Sequence, residues 1–107
     1  MKMEKIAIEL AEMQNENISD NIMYSLVLRL RQIYIVDCLI KNKIPRKKEL
    51  LNLIKKISGS LKSYWGYLRI KNNEKDKNEL PIEESKKLYN YLVKKIREQE
   101  IWVKTKS

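Results

Sequence analysis

The chain has 107 residues, a formal net charge of +9 and no histidine. The missing histidine excludes histidine metal sites, histidine general bases and every nucleophile–histidine arrangement. Two glycines, Gly59 and Gly66, lack the spacing of a phosphate-binding loop, and the scarcity of Gly and Pro points to one all-α domain over residues 1–107. The expected architecture is a bundle of about five helices around a central apolar helix. No cofactor and no metal are implied. The only cysteine, Cys38, lies in an apolar run. With no basic start, apolar block and cleavage site at the N-terminus, a cytoplasmic protein with a buried structural thiol is expected.

In chain order, Met3, Ile6, Leu10 and Met13 recur at spacings of three, four and three, one helical seam on a segment reaching about Asn17. The seam is expected to pack on the central helix of its own chain, with a swap onto another subunit as the alternative. Asn17-Ile18-Ser19-Asp20 reads as a break, with Ser19 or Asp20 capping the next helix.

That next helix is the run Ile22–Ile40, in which fourteen of nineteen residues are apolar or aromatic. Its length is near that of a membrane span. Arg29, Arg31 and Asp37, however, each cost roughly 2.5 to 3.5 kcal/mol near a bilayer centre, against about ten aliphatics returning roughly 0.3 to 0.6 each. A buried bundle helix is therefore expected, and no membrane partner. Ser25, Arg29 and Gln32 mark one wet stripe. Asp37 falls off it and reads either as an i,i+4 partner of Lys41 or as a half-buried carboxylate positioning an arginine of another helix or chain. Arg29, Arg31 and Asp37, with Trp102 near the C-terminus, form a candidate subunit interface, because one short chain cannot easily cover so apolar a helix.

Asn42–Ile44 ends the central helix and Pro45 suits the first turn of the next, which puts Leu50, Leu51, Ile54 and Ile57 on one face. Arg46, Lys47 and Lys48 sit at the positive end of that helix, where cations are disfavoured. They read as an anion site or as a solvated edge. Gly59 stops the helix and Ser60 caps another, about Leu61–Lys71, whose apolar face is expected to be Leu61, Tyr64, Trp65 and Leu68, with Tyr67, Arg69 and Lys71 pointing elsewhere. From Lys43 to Lys71 there are nine Lys or Arg and one acid, Glu49. Arg46, Lys47, Lys48, Lys55, Lys56, Lys62, Arg69 and Lys71 are thus candidates for binding an anion or nucleic acid, RNA or DNA. Residues 1–22, by contrast, carry two lysines against five acids. Asn72–Leu80 is expected to be a flexible loop, and Ile82 to about Glu100 a final helix bearing Leu88, Leu92 and Ile96. Ile101-Trp102-Val103 is an apolar patch on a charged tail.

Ser25–Pro45, together with YWGYLRIKNN and LPIEESKKLYNYLVKKI, resembles the helical C-terminal region of archaeal minimal nucleotidyltransferases, within the HEPN-like class of up-and-down helical bundles. The resemblance implies a homodimer that accompanies a separately encoded nucleotidyltransferase as a non-catalytic partner or substrate-binding subunit, in a toxin–antitoxin-like module. Ribonucleases of that class use an Arg-x4–6-His motif. The chain departs from it because no histidine follows any arginine, so no catalytic role transfers to Arg69 or Lys71. The Gly-Ser turn and paired aspartates of a nucleotidyltransferase are absent too. A small nucleic-acid-binding protein and a degenerate ribonuclease are the alternatives.

Overall fold

A computed structural model describes residues 1–106. It contains five helices: α1 Lys2–Gln14, α2 Asp20–Ile40, α3 Lys47–Ser58, α4 Lys62–Lys71 and α5 Ile82–Lys106. Among the described residues the extended pairing is one isolated antiparallel bridge, Ile18 with Leu80. No described helix is long and apolar enough to cross a membrane.

The helix ends follow local chemistry. Ser19 Oγ accepts the Ile22 N–H and caps α2. Gly59 leaves α3 at φ 93°, a left-handed turn that suits glycine. Asn15, Asn42 and Asn73 take the same left-handed conformation after α1, α2 and α4; asparagine tolerates it best among residues with a Cβ. Two boundaries differ from expectation. Pro45 precedes α3, whose N-cap is Arg46, because Tyr34 bonds the Arg46 backbone and holds the chain extended there. Ser60 sits one residue before the α4 N-cap, where its hydroxyl accepts the Lys62 N–H.

The central helix behaves as its composition requires. Met23, Leu26, Val27 and Leu30 of α2 are sealed in the core with Ile54, Leu88 and Leu92. Helix α4 runs antiparallel to α2: Arg69 meets Asp20 and Tyr67 stacks on Tyr24. On another side, α5 supplies Lys95 to Asp37 and the Gln99 amide to the Ile33 carbonyl. At its far end α2 is incompletely covered, and Val36 and Leu39 are exposed.

Helix α1 is turned over relative to the sequence expectation. Met3, Ile6, Leu10 and Met13 face outward, while Glu4, Ile8 and Ala11 are buried. The inward face works because Glu4 is neutralised by Arg29, whose Nε lies 2.8 Å from Glu4 Oε2, and because Ala11 lets the helices approach closely. Burial works to raise the Glu4 carboxyl, but the Arg29 bond and charge, the helix backbone and the N-terminal amine together hold it below its usual range.

The 72–81 connection is also tied down, contrary to expectation. Leu80 is buried and pairs with Ile18 through two backbone hydrogen bonds. Asp76 accepts the Asp20 N–H at 2.8 Å, and the Lys77 N–H reaches Asp20 Oδ2 at 2.9 Å.

Candidate anion-binding groove

The α2–α4 contact is set by one position without a side chain. A Cβ on Gly66 would lie 2.7 Å from Leu80 Cδ1 and 3.0 Å from Asp20 Oδ1, so a side chain there would force Leu80 and the Asp20 carboxylate to shift. The close approach drives Tyr67 into the core and leaves Trp65 54% exposed. This corrects the expected face of α4 at Trp65 and Tyr67, while Leu61, Tyr64 and Leu68 pack against the core as expected. It also places Arg69 against Asp20 as a two-pronged pair, at 2.7 and 2.8 Å. Asp20 is wholly buried. Burial works to raise its carboxyl, but the Arg69 guanidinium and the Lys77 N–H together hold it below its usual range. Arg69 is therefore a structural arginine.

Further along α2, a groove of about 300 Å³ opens between its Val27, Arg31, Tyr34 and Ile35, the start of α3 and the face of α4 that carries Tyr64, Tyr67 and Lys71. Val27, Ile35, Pro45 and Leu50 form its apolar lining, Tyr34, Tyr64 and Tyr67 its aromatic wall, and Arg31, Arg46, Lys47 and Lys71 its cations. All four cations are exposed, and none lies within ion-pair distance of an acid among the described residues. No carboxylate lines the groove. Three elements distant in sequence thus bring like charges together with no carboxylate in ion-pair contact, and the nearest counter-charge is Glu49, whose carboxylate feels Arg46 as well as Lys43.

The wall is built in layers. Tyr24, Tyr67 and Tyr64 stack with ring centroids 5.1 and 5.7 Å apart, and Lys71 Nζ lies 5.8 Å from the Tyr67 ring centre. Tyr67 is buried among these neighbours, and Tyr64 is half-buried in the groove wall. Tyr34 fixes the opposite side: its hydroxyl donates to Glu49 Oε2 at 2.8 Å and accepts the Arg46 N–H at 3.0 Å. The Arg46 N–H works to lower the Tyr34 phenol, but burial, Glu49 and Cys38 push it up to about 12, so it stays protonated at neutral pH. Glu49, the one acid of this segment, is spent on Tyr34 and on Lys43, 3.7 Å away.

Of the sequence candidates, Arg46, Lys47 and Lys71 line the groove. Arg31, first read as an interface residue, joins them. Lys48 lies next to Lys47 at the start of α3 but outside the lining, while Lys55 and Lys56 sit near the other end of α3 and Lys62 begins α4. Arg29 and Asp37 are engaged within the chain, Arg29 by Glu4 and Asp37 by Lys41 and Lys95 at 3.5 and 3.4 Å. The reading of Asp37 as a partner of Lys41 stands; its second cation is a lysine rather than an arginine. Trp102 is 40% exposed, on a last stretch of α5 whose residues 101–106 are all exposed. The sequence reading missed Arg31, Tyr34 and Tyr64 as one cluster. The anomalous cations at the start of α3 were its only local signal.

Fold and groove together define an all-helical protein with a cationic, tyrosine-walled recess. No family model, curated protein or solved structure matches the chain.

Proposed function

We propose that the chain is a non-catalytic helical protein that binds single-stranded nucleic acid in the groove between α2, α3 and α4. The observation that carries this reading is the convergence of four cations without an ion-pair partner on one tyrosine-lined groove. Cations along a groove track phosphates, and an aromatic face stacks a base without regard to its identity. A base entering the recess would meet the tyrosine wall at Tyr64, with Arg31, Arg46, Lys47 and Lys71 along successive phosphates of the strand on either side of it. A recess of this size suits one nucleotide of a strand and is too small for a duplex. The test is fluorescence anisotropy with labelled single-stranded and duplex oligonucleotides. The strand should bind more tightly than the duplex, with an affinity that falls steeply with salt. Equal affinity for both, or no binding at low salt, would reject the reading.

A homodimer belongs to the same proposal, because two copies present two grooves to one strand; the four large apolar side chains exposed on α1 support it. The second reading is the HEPN-like one, in which the chain is the helical partner of a separately encoded nucleotidyltransferase. The exposed Ile101, Trp102 and Val103 at the end of α5 favour it, since a projecting helix end with apolar side chains is a docking element. Co-purification with such an enzyme, abolished by Trp102→Ala, is the outcome it requires.

A further inference from the structure

Helix α1 exposes Met3 at 79%, Ile6 at 51%, Leu10 at 50% and Met13 at 81%, while its opposite face is buried in the bundle. These four side chains make one continuous stripe of on the order of 500 Å² of apolar surface, within the roughly 300–600 Å² of the largest patches on monomers. Two such stripes face to face remove about 1,000 Å² from water, which reaches the lower bound of a specific interface.

The pattern of the stripe identifies its occupant. Its spacings of three, four and three read the same in both directions, and so does its chemistry: Met, Ile, Leu, Met. An antiparallel copy therefore sets Met3 against Met13 and Ile6 against Leu10, twice, about a two-fold axis near Ile8. These are the a and d layers of a short coiled-coil seam, and a self-complementary patch is what a two-fold dimer requires. Ala7 and Gln14 flank one side of the stripe without charge. On the other flank Glu9 of each copy faces Glu9 of the other near the axis, a like-charge contact that salt screens, while the opposed helix dipoles favour the antiparallel sense.

We infer that the chain forms a two-fold dimer through antiparallel pairing of α1 with α1 of a second copy. The inference deepens the self-association part of the functional reading and is independent of what the groove binds. It also moves the interface away from Arg29, Asp37 and Trp102.

Sedimentation equilibrium of the full chain tests it. The wild type should sediment as a dimer, and Ile6→Glu with Leu10→Glu should weaken association on the order of 100-fold or more, with helical content retained below the unfolding transition. A monomer at all concentrations overturns the inference, as does a dimer that survives the double substitution. The sense of pairing is read in a Cys38→Ala background with glutathione as thiol–disulfide buffer. Mixing Met3→Cys with Met13→Cys protein should give cross-links between unlike chains, because a disulfide needs Cα atoms within about 7 Å. Cross-links between like chains overturn the antiparallel arrangement. Lys47→Glu with Lys71→Glu should leave the dimer mass unchanged, so failure of the groove and failure of the α1 seam are separate results. A groove variant that becomes monomeric would overturn the assignment to α1.

Discussion

Two halves of α2 meet an arginine in opposite ways. In the first half Arg69 is bound by both carboxylate oxygens of a wholly buried Asp20, and the loop backbone fills the remaining positions on that carboxylate. In the second half Arg31 stands with three more cations around a recess that contains no acid. A paired arginine next to a buried acid holds the fold together, because neither charge can be left alone in the interior. An unpaired cluster adds repulsion to the folded chain, and an anionic ligand relieves it. The difference assigns Arg69 to the scaffold and Arg31 to the surface that binds.

Substitution should separate the two halves by stability. Arg69→Ala leaves Asp20 buried and unpaired and should cost about 3–5 kcal/mol in urea unfolding. Arg31→Ala should stay within about 0.5 kcal/mol, as for exposed sites generally. Equal losses would erase the distinction. The pH dependence carries a definite sign. The Asp20 carboxyl titrates lower in the folded chain than in the unfolded one, so its contribution is complete at neutral pH. It fades as pH falls below about 4, the unfolded value, and through the folded one. Acid unfolding followed by circular dichroism should therefore show a steeper loss for the wild type than for Asp20→Asn, which starts less stable.

Gly66→Ala should be the next largest effect, about 1–3 kcal/mol, because the added Cβ meets Leu80 Cδ1 at 2.7 Å. It should also loosen the 72–81 connection, visible as faster amide exchange at Ile18 and Leu80. In the groove, Tyr64→Ala should weaken strand binding by about 1–3 kcal/mol, measured below the unfolding transition because loss of the ring packed on Tyr67 also lowers stability. The smallest effect belongs to Ser63. Its buried hydroxyl has no hydrogen-bond partner, so Ser63→Ala should be neutral or stabilising by up to about 1 kcal/mol in thermal unfolding.

The helix count, the central apolar helix, the Ser19 cap and the Gly59 stop were legible because each depends on neighbours within a turn or two. The direction in which α1 faces was not. Periodicity locates a stripe but does not say whether it points inward, and the deciding contact joins Glu4 to Arg29 across 25 positions. The face of α4 was misread at Trp65 and Tyr67 for a similar reason: Trp65 is the more apolar choice, but Gly66 decides which side approaches α2. The Asp20–Arg69 pair spans 49 positions, and no local pattern announces it. Half of the groove was visible as misplaced cations at the start of α3. Arg31 and Lys71 join that cluster only when α2, α3 and α4 are packed.

The most direct measurement is the salt dependence of oligonucleotide binding for the wild type and for the triple variant Arg31→Ala, Lys47→Ala, Lys71→Ala. With four cations on phosphates, the logarithm of affinity should fall with the logarithm of salt at a slope of about −2.8 for a single strand. In the variant one cation remains and the slope should shrink to about −0.7. An unchanged slope would place the nucleic acid elsewhere on the molecule and contradict the assignment of the groove.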